Sequence, residues 1–97
     1  MKEKVVCVAI NSLQKAKAYE LAQNYGRAFA HWLVYFKLVS EHRNLYETDF
    51  VRVLCKWGLI LESRGQVADL CKCYIHALHY YPKNLDILNN FGAHLIR

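Results

Sequence analysis

The chain has 97 residues, 55% apolar and 22% charged, a composition that suits one small globular domain and leaves no room for two. Thirteen Lys and Arg against eight Asp and Glu give a formal charge of +5. The basic residues are spread from Lys2 to Arg97 with acids interspersed, so the focused cationic face that nucleic-acid binding requires is not expected.

The first apolar run, Val5 to Ile10, has six residues, too few for a signal-peptide core or a bilayer span. With no such segment, the expected location is the cytoplasm, the nucleus or both, without secretion, and no membrane contact is expected. Cys7, Cys55, Cys71 and Cys73 then read as reduced thiols. Apolar residues recur at three and four, as in Leu54, Trp57 and Leu61, the spacing of an amphipathic helix. Breakers at Asn24 to Gly26, Ser40 to Asn44, Ser63 to Gly65 and Pro82 to Asn84 divide the chain into five helices. Their predicted spans are about 5–22, 26–39, 47–62, 66–80 and 85 to the end. The fold class is therefore all-α.

An internal repeat sharpens this. Leu54, Trp57, Gly58 and Leu61 recur 34 residues later as Leu88, Phe91, Gly92 and Leu95. Gly58 and Gly92 are expected to admit a close neighbouring helix, with Trp57, Tyr74 and Leu78 filling the space around it. Pro82 closes the unit, because proline cannot continue the helical ladder. A looser copy fits 9–42, with Ala16 at the small position, Tyr19, Ala28, and Trp32 in the place of Tyr74. Arg43 to Phe50 are extra and should lengthen the connection between the copies. Tyr80 and Tyr81, near a helix end, are expected to be partly exposed.

This spacing resembles the tetratricopeptide repeat. The resemblance implies antiparallel helix pairs stacked as a short right-handed superhelix, within a single domain over 1–97. Repeat 1 takes about 9–42, repeat 2 about 51–84, and 85–97 is the first helix of an incomplete third. More specific residues are Tyr25-Gly26-Arg27-Ala28-Phe29-Ala30-His31-Trp32, Glu47-Thr48, Phe50, Asp69-Leu70, Cys73-Tyr74, Asn90, Gly92, His94-Leu95 and Arg97. Together they resemble the N-terminal repeat region of the protein arginine N-methyltransferase family. That family's catalytic domain uses S-adenosylmethionine to make symmetric dimethylarginine on proteins.

Such a domain needs a glycine-rich strand-to-helix turn and an acidic residue for the ribose. The glycines at 26, 58, 65 and 92 are isolated, so no enzyme activity and no cofactor are expected of this chain. S-adenosylmethionine is implied only for a full-length family member. Metal is not expected either. Cys71 and Cys73 point about 200° apart on a helix, and only Cys73 and His76 could share an ion. His31 and His94 lack a nucleophile or carboxylate arranged for catalysis and read as polar groups at helix interfaces or partner contacts.

The resemblance implies a protein or peptide partner held in a concave groove lined by the first helix of each pair. In the repeat register its positions are Ile10, Leu13, Lys17, Glu20 and Leu21, then Arg52, Cys55, Leu59 and Glu62, then Asp86, Asn89, Ala93 and Ile96. Leu13, Lys17 and Lys56 do not reproduce the lysine and asparagine set that clamps a terminal carboxylate, so acidic chaperone tails should not bind. The expected function is an interaction module that positions a substrate or partner. The alternatives are a truncated fragment of the full-length methyltransferase and a free-standing adaptor. The unpaired last helix favours a C-terminal continuation into further repeats or a catalytic domain.

Overall fold

The computed structural model describes residues 2–96, and among these every regular element is helical. They are α1 (Lys2–Leu21), α2 (Tyr25–Leu38), a 3₁₀ helix (Ser40–Leu45), α3 (Glu47–Ser63), α4 (Val67–Tyr80) and α5 (Leu85–Ile96). Arg97, part of the methyltransferase-like pattern, lies outside the described residues. The chain divides into two compact units, one ending at Val53 and one beginning at Leu54.

In the first unit α1 and α2 form a hairpin. Ala9, Ser12 and Ala16 are buried at helical spacing on α1, small residues that let α2 approach closely. α2 buries Ala28, Phe29, Trp32, Tyr35 and Phe36. The centre of this unit is aromatic: Phe29 and Phe36 pack on Phe50 at 5.4 and 5.2 Å between centroids, and Trp32 packs on Tyr46 at 5.3 Å.

α1 stops because Gln23 takes a left-handed conformation, φ 60°. The amide of Asn24 then donates to the carbonyl of Tyr19 at 2.8 Å, and that of Gln23 to Glu20 at 2.9 Å, a Schellman closure. Asn24 next caps α2, its Oδ1 accepting from the Arg27 amide at 3.3 Å.

The second unit repeats these devices. Gly65 is left-handed at φ 70°, the Gln66 amide donates to Leu61 at 2.9 Å and the Gly65 amide to Glu62 at 3.0 Å. Gln23 and Gly65 stand 42 residues apart. The helix-ending residues Val39 and Tyr81 keep the same offset and nearly the same backbone, φ −135° and −132°, each donating four residues back.

Arg43 to Phe50 do not form a longer loop. Arg43 to Leu45 complete the 3₁₀ helix, held by Arg43 Nη1 donating to the Ser40 carbonyl at 3.0 Å. Glu47 to Phe50 add a first turn to α3 and deliver the fully buried Phe50 to the aromatic cluster. The connection from α2 to α3 is lengthened as expected, running over residues 39–46 against 81–84 between α4 and α5, but it is wound largely into 3₁₀ helix.

Gly58 meets its expectation. A Cβ there would lie 3.0 Å from Tyr74 Oη and 3.1 Å from Tyr74 Cε2. Gly92 does not, since a Cβ at that position meets nothing within 4 Å. Tyr81 also differs from expectation: it is buried at 5% exposure, while Tyr80 is half-buried. The chain turns immediately after Tyr80, and that folds the Tyr81 ring inward.

Candidate partner-binding surface

Of the first unit's groove positions on α1, Leu13 and Glu20 lie beside the buried stripe of Ala9, Ser12 and Ala16, and Lys17, Ile10 and Leu21 lie further round the helix. Ile10 and Leu21 are exposed, the latter at 87%, and Leu13 is half-buried. Lys17 places its ammonium 5.5 Å from the centre of the Tyr46 ring. Glu20 and Arg52 hold one another. Arg52 Nε donates to one Glu20 oxygen at 2.5 Å, and Nη2 donates to the other at 3.0 Å and to Asp49 Oδ1 at 2.8 Å. These two carboxylates, Glu20 first, raise the Arg52 guanidinium above its ordinary range. The pair fixes α3's first turns to α1 with a planar, bidentate contact.

In the second unit, Leu59 and Ile96 are exposed, as are Asp86, Asn89 and Ala93. Cys55 is half-buried and accepts from Asn90 Nδ2 at 3.0 Å. Burial, only partly offset by that contact, pushes its thiol up. Glu62 pairs with Nδ1 of His94. The His94 ring packs on Tyr74 at 5.5 Å, and Tyr74 stacks on Phe91 at 5.2 Å with planes 7° apart. Burial, then the neighbouring Cys55, pushes the Tyr74 phenol up. Asp69 is exposed on α4, while Cys73 is half-buried and its thiol is pushed by burial up to about 11.

His31 lies face to face with Tyr19 at 5.4 Å, and the Arg27 guanidinium sits 5.7 Å from the centre of the same ring. Burial, then Lys15 and Arg27, lowers the His31 pKa and favours the neutral ring. Both histidines thus serve helix packing. Among the described residues no three His, Cys, Asp or Glu side chains are arranged to hold a metal ion. No helix among them is long and apolar enough to cross a membrane.

Three contacts were not visible in the sequence pattern: Glu20 with Arg52, Cys55 with Asn90, and Tyr35 Oη with His42 Nδ1 at 2.9 Å. The first two join residues 32 and 35 apart, beyond any helical spacing rule. Only the repeat register, which puts Glu20, Arg52 and Cys55 at groove positions, drew attention to them.

The helix hairpins, the paired Schellman turns and the close approach at Gly58 define an all-α protein consistent with the tetratricopeptide type. No family model matches the chain, and no solved structure does. Among curated proteins it is similar to protein arginine N-methyltransferase 9: 34% identical to the Homo sapiens protein, 35% to that of Mus musculus and 36% to that of Xenopus laevis. Each match runs over 86 residues, 89% of this chain and 10% of the relative, in the relative's N-terminal part. The chain therefore spans about a tenth of the length of the curated relatives it matches.

Proposed function

We propose that this chain is a protein-interaction module of arginine methylation, which holds a protein substrate or partner and leaves methyl transfer to a separate catalytic domain. The observation that carries this reading is a similarity running through 89% of the chain to a stretch that makes up only a tenth of an arginine methyltransferase. In this reading the tetratricopeptide-type groove is lined in the first unit by Ile10, Leu13, Lys17, Glu20, Leu21 and Arg52. In the second unit it is lined by Cys55, Leu59, Glu62, Asp86, Asn89, Ala93 and Ile96. Exposed Ile10, Leu21, Leu59 and Ile96 supply apolar contact, and the charged positions supply orientation. The repeat boundaries 9–42 and 51–84 are supported by the helix-ending devices that recur at an offset of 42. The module works in the cytoplasm or nucleus, without nucleic acid, and binds no S-adenosylmethionine itself. A second reading, supported by the same similarity, makes this stretch one part of a complete enzyme that forms symmetric dimethylarginine.

A chimera tests the proposal. The matched stretch of the human methyltransferase is deleted in one protein and replaced by this chain in another, with S-adenosylmethionine binding followed by calorimetry to confirm an intact catalytic domain. Deletion is expected to raise KM for a protein substrate by about tenfold, the effect of losing roughly 1.4 kcal/mol of binding, and the replacement to restore it. A deletion that leaves KM unchanged would overturn the reading, and methyl transfer by the 97-residue chain alone would overturn the division of labour.

A further inference from the structure

The α1–α2 hairpin has a second surface, across α1's buried stripe from Ile10, Lys17 and Leu21. With about 100° per residue, Val8, Lys15 and Tyr19 line one edge of α1, beside the buried Ser12 and roughly half a turn from Ile10, Lys17 and Leu21. Arg27, His31, Val34 and Leu38 form the matching edge of α2 at spacings of four, three and four. The hairpin runs antiparallel, and the Tyr19 ring touches both Arg27 and His31. One end of the surface is therefore cationic, with Lys15 and Arg27 exposed around His31. The other end is apolar, with Val8, Val34 and Leu38 36–48% exposed.

Among the described residues Lys15 and Arg27 form no ion pair with a carboxylate. α2 contains no Asp or Glu, Glu20 is bound by Arg52, and Glu3 projects from another side of α1. We infer that this face docks an amphipathic helix of a protein partner, its apolar stripe against Val8, Val34 and Leu38 and an acidic end turn over Lys15 and Arg27. The choice of occupant follows from charge and shape. Two antiparallel helices leave a furrow that accepts a third, read by residues at i, i+4 and i+7. From Val8 to Tyr19 the furrow runs about 16 Å, three turns of helix. Two cations are too few to hold a nucleic acid strand. The apolar side chains, Val8, Val34 and Leu38, include no aromatic of the kind that anchors a membrane-surface helix.

The test uses the full chain and two labelled peptides of about four turns. Both carry leucines at i, i+4, i+7 and i+11, one ending in two glutamates and the other in two lysines. In fluorescence anisotropy the glutamate peptide is expected to bind at least about tenfold more tightly. Lys15→Glu is expected to reverse that preference and Val34→Lys to abolish binding, with helicity by circular dichroism unchanged. Methyl NMR shifts are expected at Val8, Val34 and Leu38. Equal binding of the two peptides to the unaltered chain overturns the inference, as do shifts confined to Ile10, Leu13 and Leu21. Val34-dependent adhesion to phosphatidylcholine–phosphatidylserine vesicles without peptide discrimination, or a dimer in sedimentation that Val34→Lys dissolves, would overturn it in favour of a membrane or a second copy.

Discussion

Two glycines that look equivalent along the chain have opposite surroundings. At Gly58 an added methyl would press on Tyr74, a fully buried ring stacked on Phe91, so the neighbour cannot easily yield. Overpacking of this kind costs about 1–3 kcal/mol, against roughly 1 kcal/mol gained in helix propensity. Gly58→Ala is therefore expected to lower Tm by several degrees, whereas Gly92→Ala, with open space around it, should raise Tm; thermal unfolding followed by circular dichroism decides both. Cys73 gives a pH signature. Its thiol is raised from 9.0 to about 11 by burial, and a group whose folded pKa lies above its unfolded value stabilises fully below the unfolded pKa. Stability should fall as pH rises from about 9 towards 11, with the Tyr74 phenol contributing in the same direction, and Cys73→Ala should flatten the decline in urea unfolding at a series of pH values.

At the scale of the element, the helix ends hold the most transferable information. Asn84 Oδ1 accepts from the Ile87 amide at 2.9 Å, capping α5 as Asn24 caps α2. Asn84→Ala is expected to cost about 1 kcal/mol, read as a lower urea midpoint. Gln23 carries a side chain in a conformation that glycine adopts at the corresponding Gly65. Gln23→Gly should accordingly raise the midpoint by up to about 1 kcal/mol in stability. The five helices were legible because Gly65, Pro82 and the asparagine-rich breaks mark chain reversals by local chemistry. The start of α3 at Glu47 was legible too, but the short 3₁₀ helix before it was not. That helix depends on Phe50 and Tyr46 reaching the aromatic cluster around Trp32, a tertiary preference that overrides the polar look of Ser40 to Asn44.

For the molecule as a whole, the helix-ending turns recur 42 residues apart in the backbone, and the exposure of the candidate surface is easier to read from sequence than its contacts. Exposure at Ile10, Leu21, Leu59 and Ile96 followed from helical register. The commitment of Glu20 to Arg52 and of Glu62 to His94 did not, because each partner comes from another helix. The same reasoning gives weight to the second face of the first hairpin, where Lys15, near His31, forms no ion pair with a carboxylate among the described residues.

The four thiols turn the protein into its own reporter of local opening. Cys7 is exposed on α1, whereas Cys55, Cys71 and Cys73 are half-buried in the second unit. A thiol reagent should therefore modify Cys7 at the rate of a free side chain and the other three only as fast as their surroundings open. Mass spectrometry after timed quenching would then read the opening free energy around α3 and α4 in the unmodified sequence, with no engineered label.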